Sequence, residues 1–254
     1  MNVEVLYKYG KLGKHSESLF STPTIWFASP ASLNDPFECR PWFDFVGTDE
    51  EAVTFLVRAL RKRDPNLSTV DALARAFAML EGGRLKDSRL WNFFRKDIAR
   101  LVATDIGICC LTTSNTNILM WSHYASDHRG YCLEFSASDS TPFFGEAQKV
   151  SYSKDFPTVN IFSTPRDSQV DLIFLTKFEG WRYEEEYRIV DHQLGAGLRS
   201  YPSQSLKSVT FGMRMTDEDK NNIQRWLQAR GHEVKVYHTA IHNREFKIIP
   251  SAAG

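Results

Sequence analysis

Residues 106–135, which read IGICCLTTSNTNILMWSHYASDHRGYCLEF, decide the fold because their pattern changes twice within one short segment. Residues 106–112 form a short apolar run, which predicts a buried strand. Residues 117–128 have the composition of a helix, and Gly130 is suited to end it. Residues 130–135 then alternate apolar and polar side chains, as a strand does. The segment therefore predicts a strand, a helix and a second strand in succession.

Further strands are predicted on both sides of this segment. Their β-branched and aromatic composition places them at residues 3–9, 24–29, 183–190, 208–212, 234–237 and 246–249. Two more helices are predicted near residues 170–178 and 216–230. Strands and helices that occur in runs, without regular alternation, indicate an α+β fold with a mixed, mostly antiparallel sheet at its core.

The part of the chain at about residues 48–104 is predicted to be a helical insertion into that sheet. Thr48 and Glu51 have the spacing of a capping box ahead of apolar positions. A second helix is expected over residues 71–80, and Asp87 is suited to cap a third. We see no linker or repeat, so residues 1–254 are predicted to form a single domain.

The composition excludes several classes of protein. Lys plus Arg (31) equals Asp plus Glu (31), so binding to nucleic acid through bulk positive charge is not expected. No run approaches the roughly 20 apolar residues of a membrane span, and the first residues lack a signal-peptide core. We therefore expect a cytoplasmic protein that makes no membrane contact. The four cysteines include no CxxC pair, and neither a disulfide nor a metal site is expected.

The first candidate site is residues 24–38, TIWFASPASLNDPFE, which contain the turn Asn34-Asp35-Pro36. Short polar side chains in such a turn bond to their own backbone, so a purely structural Asx turn is one interpretation. The other is a loop that holds Asn34 or Asp35 against a ligand.

The second candidate lies on the predicted helix of residues 117–128. There, His123 and Asp127 are four residues apart, as are Tyr124 and His128, so each pair would share a helix face. His123 and His128 diverge by about 140° at roughly 100° per residue, which disfavours a helical zinc pair. His123 is either an ordinary histidine bonded to a carboxylate or a polar ring at the edge of an aromatic cleft.

The third candidate is residues 180–190, GWRYEEEYRIV, which are interpreted as part of a strand. On that interpretation Glu184, Glu186 and Arg188 project from one face, and Glu185 projects from the other. An exposed edge strand, with Arg188 paired to Glu186, would explain the charges. A pair of carboxylates beside a cationic or oxocarbenium-like centre would explain them too, because neighbouring carboxylates raise one another's pKa.

The motifs YKY, NDPFE, LMWSHYASDHRGYCLEF and WRYEEEYRIV, in this order and spacing, resemble a bacterial family known as domain of unknown function 2971. The resemblance spans roughly residues 5–215. It implies no activity, because none is attached to the family. The chain has no P-loop, GxGxxG, GxSxG or HExxH motif, so phosphate binding by a glycine loop and a serine triad lack support.

The order of motifs also resembles that of ADP-ribosyltransferases, and an ADP-ribosyltransferase-like fold is expected on that basis. Carried over, the resemblance assigns Lys8 and Tyr9 to the first strand, Trp26, Phe27, Ser29 and Ser32 to the second motif, and Glu186 to the catalytic glutamate, with Glu184 two residues before it. Lys8 stands where that family has His or Arg. The resemblance implies that the first motif binds a ribose or phosphate, that the aromatic rings stack on nicotinamide, and that Glu186 stabilises the oxocarbenium ion.

We therefore expect an enzyme that cleaves NAD and transfers ADP-ribose to water or to a macromolecular acceptor, protein or nucleic acid, in a defensive or toxin-like role. The segments around Asp35, His123 and Glu186 are expected to line one cleft, in which Asn34, Asp35, His123 and Tyr124 help to bind the substrate. Two alternatives stay open. One is a non-catalytic domain that senses a nucleotide or a partner. The other is a metal-dependent hydrolase or nuclease that uses Asp35, Glu38 and His123.

Overall fold

The computed structural model describes residues 3–252 and contains fourteen strands and seven helices within them. The strands are β1 (Val5–Gly10), β2 (Thr24–Phe27), β3 (Trp42–Asp44), β4 (Gly107–Thr112), β5 (Tyr131–Ser136), β6 (Gln148–Lys149), β7 (Ser151–Ser153), β8 (Thr158–Asn160), β9 (Thr176–Phe178), β10 (Glu186–Asp191), β11 (Gly197–Ser200), β12 (Leu206–Phe211), β13 (Lys235–Ile241) and β14 (Ile248–Ala252). The helices are α1 (Ser16–Ser21), α2 (Asp49–Arg63), α3 (Thr69–Glu81), α4 (Ser88–Thr104), α5 (Ile118–Tyr124), α6 (Arg166–Phe174) and α7 (Asp217–Leu227).

Eight strands form one sheet, in the order β14-β13-β12-β5-β1-β4-β10-β6. All neighbours in it are antiparallel except β12 and β13, which are parallel. The α+β class and the mixed, mostly antiparallel sheet are therefore confirmed. The other six strands pair in twos, β11 with β2, β3 with β8 and β7 with β9. None of the helices within residues 3–252 combines the length and apolar composition that a membrane span requires.

Helices cover both faces of the large sheet. Phe20 of α1 and Ile223 of α7 belong to the main apolar core, together with Leu133 of the central strand β5. On the opposite face, Trp121 of α5 packs with Tyr9 of β1, and their rings meet edge to face at 5.2 Å. The position of α5 matters for function because this helix ends beside the candidate site.

The region of residues 48–104 contains α2, α3 and α4 and no strand. The predicted capping box is present: the Thr48 side chain accepts from the Glu51 amide, and the Glu51 carboxylate accepts from the Thr48 amide. Asp87 caps α4 by accepting from the Arg89 amide, as its position indicated. These local signals were sufficient because each helix terminus satisfies its own backbone donors.

The prediction of one helix over residues 117–128 was wrong at its C-terminal end. The helix α5 stops at Tyr124, and Ser126, Asp127 and His128 have positive φ angles of 49°, 53° and 67°. The left-handed residues turn the chain back towards β5, where Gly130 packs against the Gly10 carbonyl and leaves no room for a Cβ. His123 and Asp127, and likewise Tyr124 and His128, therefore do not share a helix face.

The prediction of a strand over residues 183–190 was also wrong in its first half. Residues 179–184 form a 3-10 turn, Glu185 is left-handed with φ 44°, and β10 starts at Glu186. A glutamate triplet is a poor strand former, and the turn takes up two of its members. The predicted helix near residues 170–178 likewise divides into α6 and β9, which places Lys177 in a strand.

Strands β1 and β4 separate soon after they meet. Their register contains a single pair, Tyr7 with Thr112. Beyond it, Ile108 of β4 forms an isolated antiparallel bridge with Ala28, the residue that follows β2. A split between two central strands leaves backbone groups without ladder partners and opens a cleft between them. The candidate site lies in this split.

Candidate functional site

The cleft at the split has a volume of about 330 Å³, within the range of small-molecule sites. It lies between β1, β2 and β4, and the start of β10 closes its floor. Its polar and aromatic lining residues are Tyr7, Lys8, Tyr9, Trp26, Ser32, Asn34, Glu38, Thr112, Tyr124, Lys177, Glu184 and Glu186. We call this the primary cleft.

A buried cluster of five charged side chains forms its floor. Lys177 Nζ lies 3.1 Å from Oε1 of Glu38, 3.0 Å from Oε2 of Glu186 and in hydrogen-bond contact with Glu184. Arg188 donates from Nε to Glu186 Oε1 at 2.7 Å and from Nη2 to Glu38. Each of the five residues is at most 6% exposed. Three carboxylates and two cations leave one excess negative charge at the floor, which is called the ion cluster below.

The pKa values of the two glutamates Glu184 and Glu186 are shifted in opposite directions. Burial raises the pKa of Glu186, but Arg188 and Lys177 outweigh it and lower that pKa to about 2. Burial dominates at Glu184, so its pKa lies above the usual value despite the neighbouring Lys177. The pKa of Lys177 is raised, because the surrounding carboxylates outweigh the cost of burying its charge. Glu186 is therefore ionised at neutral pH, and Glu184, whose pKa is shifted upwards, is the one of the two better suited to exchange a proton.

The hydroxyl of Tyr124 connects the ion cluster to the loop after β2. It donates to Glu184 Oε1 at 2.5 Å and accepts from Asn34 Nδ2 at 3.0 Å. Burial and the Glu184 carboxylate both raise the pKa of Tyr124, so the hydroxyl keeps its proton. The position of this ring follows from α5, which ends at Tyr124 and buries Trp121 beneath it. A proton donor is thus held against Glu184 inside the cleft.

Lys8 and Trp26 also line the primary cleft. Lys8 Nζ donates at 2.9 Å to the carbonyl of Cys110, a β4 oxygen near the strand split. The ammonium has two further donors. Trp26 is 55% exposed, although its strand neighbours Ile25 and Phe27 are buried. One cation and one open aromatic ring therefore face the ligand space above the anionic floor.

Eight of the twelve residues expected at the site line this cleft, and four do not. The eight are Lys8, Tyr9, Trp26, Ser32, Asn34, Tyr124, Glu184 and Glu186. Phe27 belongs to the main core, because alternation along β2 turns it away from Trp26. Ser29 is outside the lining and bonds to the hydroxyl of Ser32 at 3.2 Å.

Asp35 and His123 also lie outside the lining of the primary cleft. The Asp35 carboxylate accepts from the Phe37 amide at 2.9 Å and from Trp181 Nε1 at 2.7 Å. His123 bonds through Nδ1 to the Tyr183 hydroxyl at 3.0 Å. The first two candidate segments reach the primary cleft through Asn34 and Tyr124, and the third reaches it through Glu184 and Glu186. Asp35 and Glu38 line a second cleft that His123 does not line, and residues 3–252 contain no group of three or more His, Cys, Asp or Glu side chains placed to bind a metal ion.

The sequence did not point to Lys177, although it is the central cation of the floor. It was assigned to the end of a helix, where a lysine has no special meaning. Only the structure places it between Thr176 and Phe178 in a short strand, which is an unfavourable place for an unpaired charge. One of the two interpretations of residues 180–190 paired Arg188 with Glu186 on an exposed edge strand. Both side chains are buried instead, because β10 lies between β4 and β6.

Comparison with known families places one match on this part of the chain. The family model described as Protein of unknown function (DUF2971) matches residues 120–189, a shorter span than the sequence motifs indicated. The matched residues run from α5 into β10 and include Tyr124, Lys177, Glu184 and Glu186 of the cleft. Neither the curated proteins nor the solved structures gave a match. Over residues 120–189 the chain is therefore similar to a family of unknown function.

Proposed function

We propose that the primary cleft binds NAD and cleaves the bond between its ribose and nicotinamide, transferring ADP-ribose to water or to a macromolecule. The observation that carries the proposal is the meeting of Lys8, Trp26 and Glu186 at one cleft, from three separate strands. These are the positions at which the resemblance to ADP-ribosyltransferases assigns the phosphate or ribose contact, the stacking ring and the catalytic carboxylate. Resemblance alone is weak support, so the chemistry of the floor matters more.

The charge of the floor suits this reaction. Breaking the bond to nicotinamide leaves positive charge on the ribose C1′, and an anionic site stabilises that charge as it develops. The ion cluster provides one excess negative charge in a place where water is largely excluded. The negative charge is held in place before the substrate arrives, so little reorganisation is needed in the transition state.

The two glutamates then take different roles. Glu186, with its pKa lowered to about 2, remains a carboxylate and stabilises the oxocarbenium-like centre. Glu184, whose pKa is raised, takes the proton from the attacking hydroxyl as the new bond to C1′ forms. Nicotinamide leaves with the electron pair of the broken bond. A pair of carboxylates with diverging pKa values is typical of such a division of work.

Other residues that line the cleft contact the remaining parts of NAD in this proposal. The open face of Trp26 stacks on the nicotinamide ring, and its exposure leaves that face available. Lys8 offers its remaining donors to a phosphate oxygen or to the ribose. Tyr124 keeps the Glu184 carboxylate in place through its 2.5 Å hydrogen bond.

A specific observation also favours a domain that binds a nucleotide without cleaving it. Both carboxylate oxygens of Glu186 already accept bonds from Arg188, and Oε2 also faces Lys177. A carboxylate so fully paired gives up part of its stabilising power towards a new cation. In this second candidate the same cleft binds NAD, and the bond to nicotinamide remains intact.

One experiment separates the two candidates. The protein is incubated with NAD, with and without a bacterial extract as a source of acceptors, and released nicotinamide is quantified while binding is followed by calorimetry. Release that depends on the protein supports cleavage. Binding without release supports the sensing domain. Absence of both rejects NAD as the ligand of the primary cleft.

A further inference from the structure

A second cleft shares two residues with the first. It has a volume of about 290 Å³, and Glu38 and Lys177 of the ion cluster line both clefts. Its other walls are the turn after Asp35, the segment of residues 153–157 and strand β9. The two ligand spaces are therefore separated by the side chains of the ion cluster.

Three phenylalanine rings line the second cleft and remain open to solvent. Phe37, Phe156 and Phe178 are 64%, 54% and 53% exposed. The rings of Phe37 and Phe156 meet at 6.0 Å between centroids, with an angle of 65° between their planes. Open phenyl rings grouped in a concave site are more than isolated surface residues, and such a group indicates a ligand or partner.

The charged side chains that line this cleft are three carboxylates and two ammonium groups, which leaves one excess negative charge. Asp35 is 6% exposed, yet its carboxylate accepts only from the neutral donors Phe37 N and Trp181 Nε1. None of the ion pairs found within residues 3–252 includes Asp35. Asp155 adds an exposed carboxylate at the rim, and Lys154, which also lines the cleft, lies 3.9 Å from Glu179. A buried carboxylate without a cation beside it is unusual, because such charges are normally paired.

From these features we propose that the second cleft is a binding site for an organic cation that carries an alkylammonium group. The phenyl faces attract the cation through their quadrupoles, and Asp35 and Asp155 supply the opposite charge. Neutral apolar ligands would match the rings but leave Asp35 uncompensated. Anionic ligands would be repelled by both aspartates. The inference does not depend on NAD cleavage, because it concerns other residues and another ligand.

The test compares two probes of equal shape and different charge. Choline and its uncharged isostere 3,3-dimethylbutan-1-ol are titrated against the full chain, and binding is followed by NMR through the methyl signals of each probe. Choline is expected to bind at least about tenfold more tightly than the isostere. Acetyl-trimethyllysine amide is the third probe. If it binds more tightly than choline, the site serves a protein side chain; if choline binds more tightly, it serves a free cation.

Two exposed variants locate the site. Phe156→Leu retains volume and removes one π face, and Asp155→Asn removes one charge; each is expected to weaken choline binding several-fold. Phe246→Leu, at a fully exposed ring before β14, is the matched control and should leave the affinity for choline unchanged. The proposal is overturned if choline does not bind, if the isostere binds equally well, or if Phe156→Leu binds choline as the wild type does.

Discussion

Lys177 Nζ lies 3.0 Å from Oε2 of Glu186, and the same ammonium contacts Glu38 and Glu184. This one lysine therefore holds three carboxylates together at the floor of the primary cleft. Arg188 supports the arrangement from the other side by bonding Glu186 and Glu38. The geometry of the proposed catalytic glutamates thus depends on two cations, of which Arg188 lies within the motif of residues 180–190 and Lys177 lies outside it.

The first prediction concerns the stability that Lys177 provides. Lys177→Met leaves the three carboxylates without their shared cation, so the free energy of unfolding should fall by about 3–5 kcal/mol. Urea unfolding at neutral pH measures it. Adding Glu184→Gln to this variant should restore part of the loss, because one of the repelling charges is removed.

Lys154→Met is the matched control for that measurement. Lys154 is an exposed lysine 3.9 Å from Glu179, and such surface pairs contribute about 0–1 kcal/mol. If the variants at residues 154 and 177 lost equal stability, the ion cluster would not have the central role described above.

The second prediction concerns the stability of the fold at acid pH. The pKa of Glu186 is about 2 in the folded protein, below its ordinary value of 4.5. The stability from its ionised form is therefore complete above about pH 4.5 and is lost as the pH falls towards about 2. Glu186→Gln should lose less stability over this window than the wild type. Urea unfolding at a series of pH values measures the slope.

Glu184→Gln should also change how the free energy of unfolding depends on pH, but in the opposite sense to Glu186→Gln. The folded-state pKa of Glu184 is raised by burial, so its protonation stabilises the fold as the pH falls towards the ordinary carboxylate range. The variant lacks that gain. Identical pH dependence in the two variants would contradict the assignment of opposite pKa shifts.

The third prediction concerns Tyr124→Phe. Loss of the 2.5 Å hydrogen bond removes a donor from the ionised form of Glu184, so the pKa of Glu184 rises further. If Glu184 is the base, the acid limb of the pH–rate profile for nicotinamide release should move up by about one pH unit. Tyr183→Phe, which loses only a bond to His123, should leave the profile in place. An unshifted profile in Tyr124→Phe would rule out Glu184 as the titrating base.

The fourth prediction separates two roles for Lys8. As a ligand for phosphate or ribose it contributes to substrate and transition state alike, so Lys8→Met should raise the KM for NAD about tenfold with less effect on kcat. Lys8→Arg should retain most of the binding. If Lys8 serves only the Cys110 carbonyl, Lys8→Met will lower the melting temperature and leave KM unchanged.

The sequence was most informative where structure is decided locally. The capping box at Thr48 and the N-cap at Asp87 each depend on a few adjacent residues, so these two helix starts could be assigned. The short strands β3, β6, β7, β8, β9 and β11 were not predicted. The end of α5 could not be predicted in this way. Its left-handed residues, Ser126 to His128, depend on the packing of Gly130 against β1, which is a contact between distant parts of the chain.

The floor of the cleft shows the same limit more clearly. Glu184 and Glu186 stand out in the sequence because three glutamates in a row need an explanation. Lys177, whose charge opposes the effect of burial on the pKa of both glutamates, belongs to no motif, and Glu38, which shares its ammonium group, lies far from it in the sequence. Burial turns ordinary charged residues into a functional group, and the sequence alone does not show which charges are buried together.

The measurement that tests the central claim most directly is nicotinamide release from NAD by Glu186→Gln and Glu185→Gln, with melting curves for both. Glutamine preserves the shape at residue 186 and removes the charge, so the rate should fall about a hundredfold or more, equivalent to about 2.7 kcal/mol of transition-state stabilisation. Glu185 is exposed and bonds Thr113 outside the cleft, so its variant should retain the wild-type rate within about twofold. Equal rates in the two folded variants would contradict the role given to Glu186.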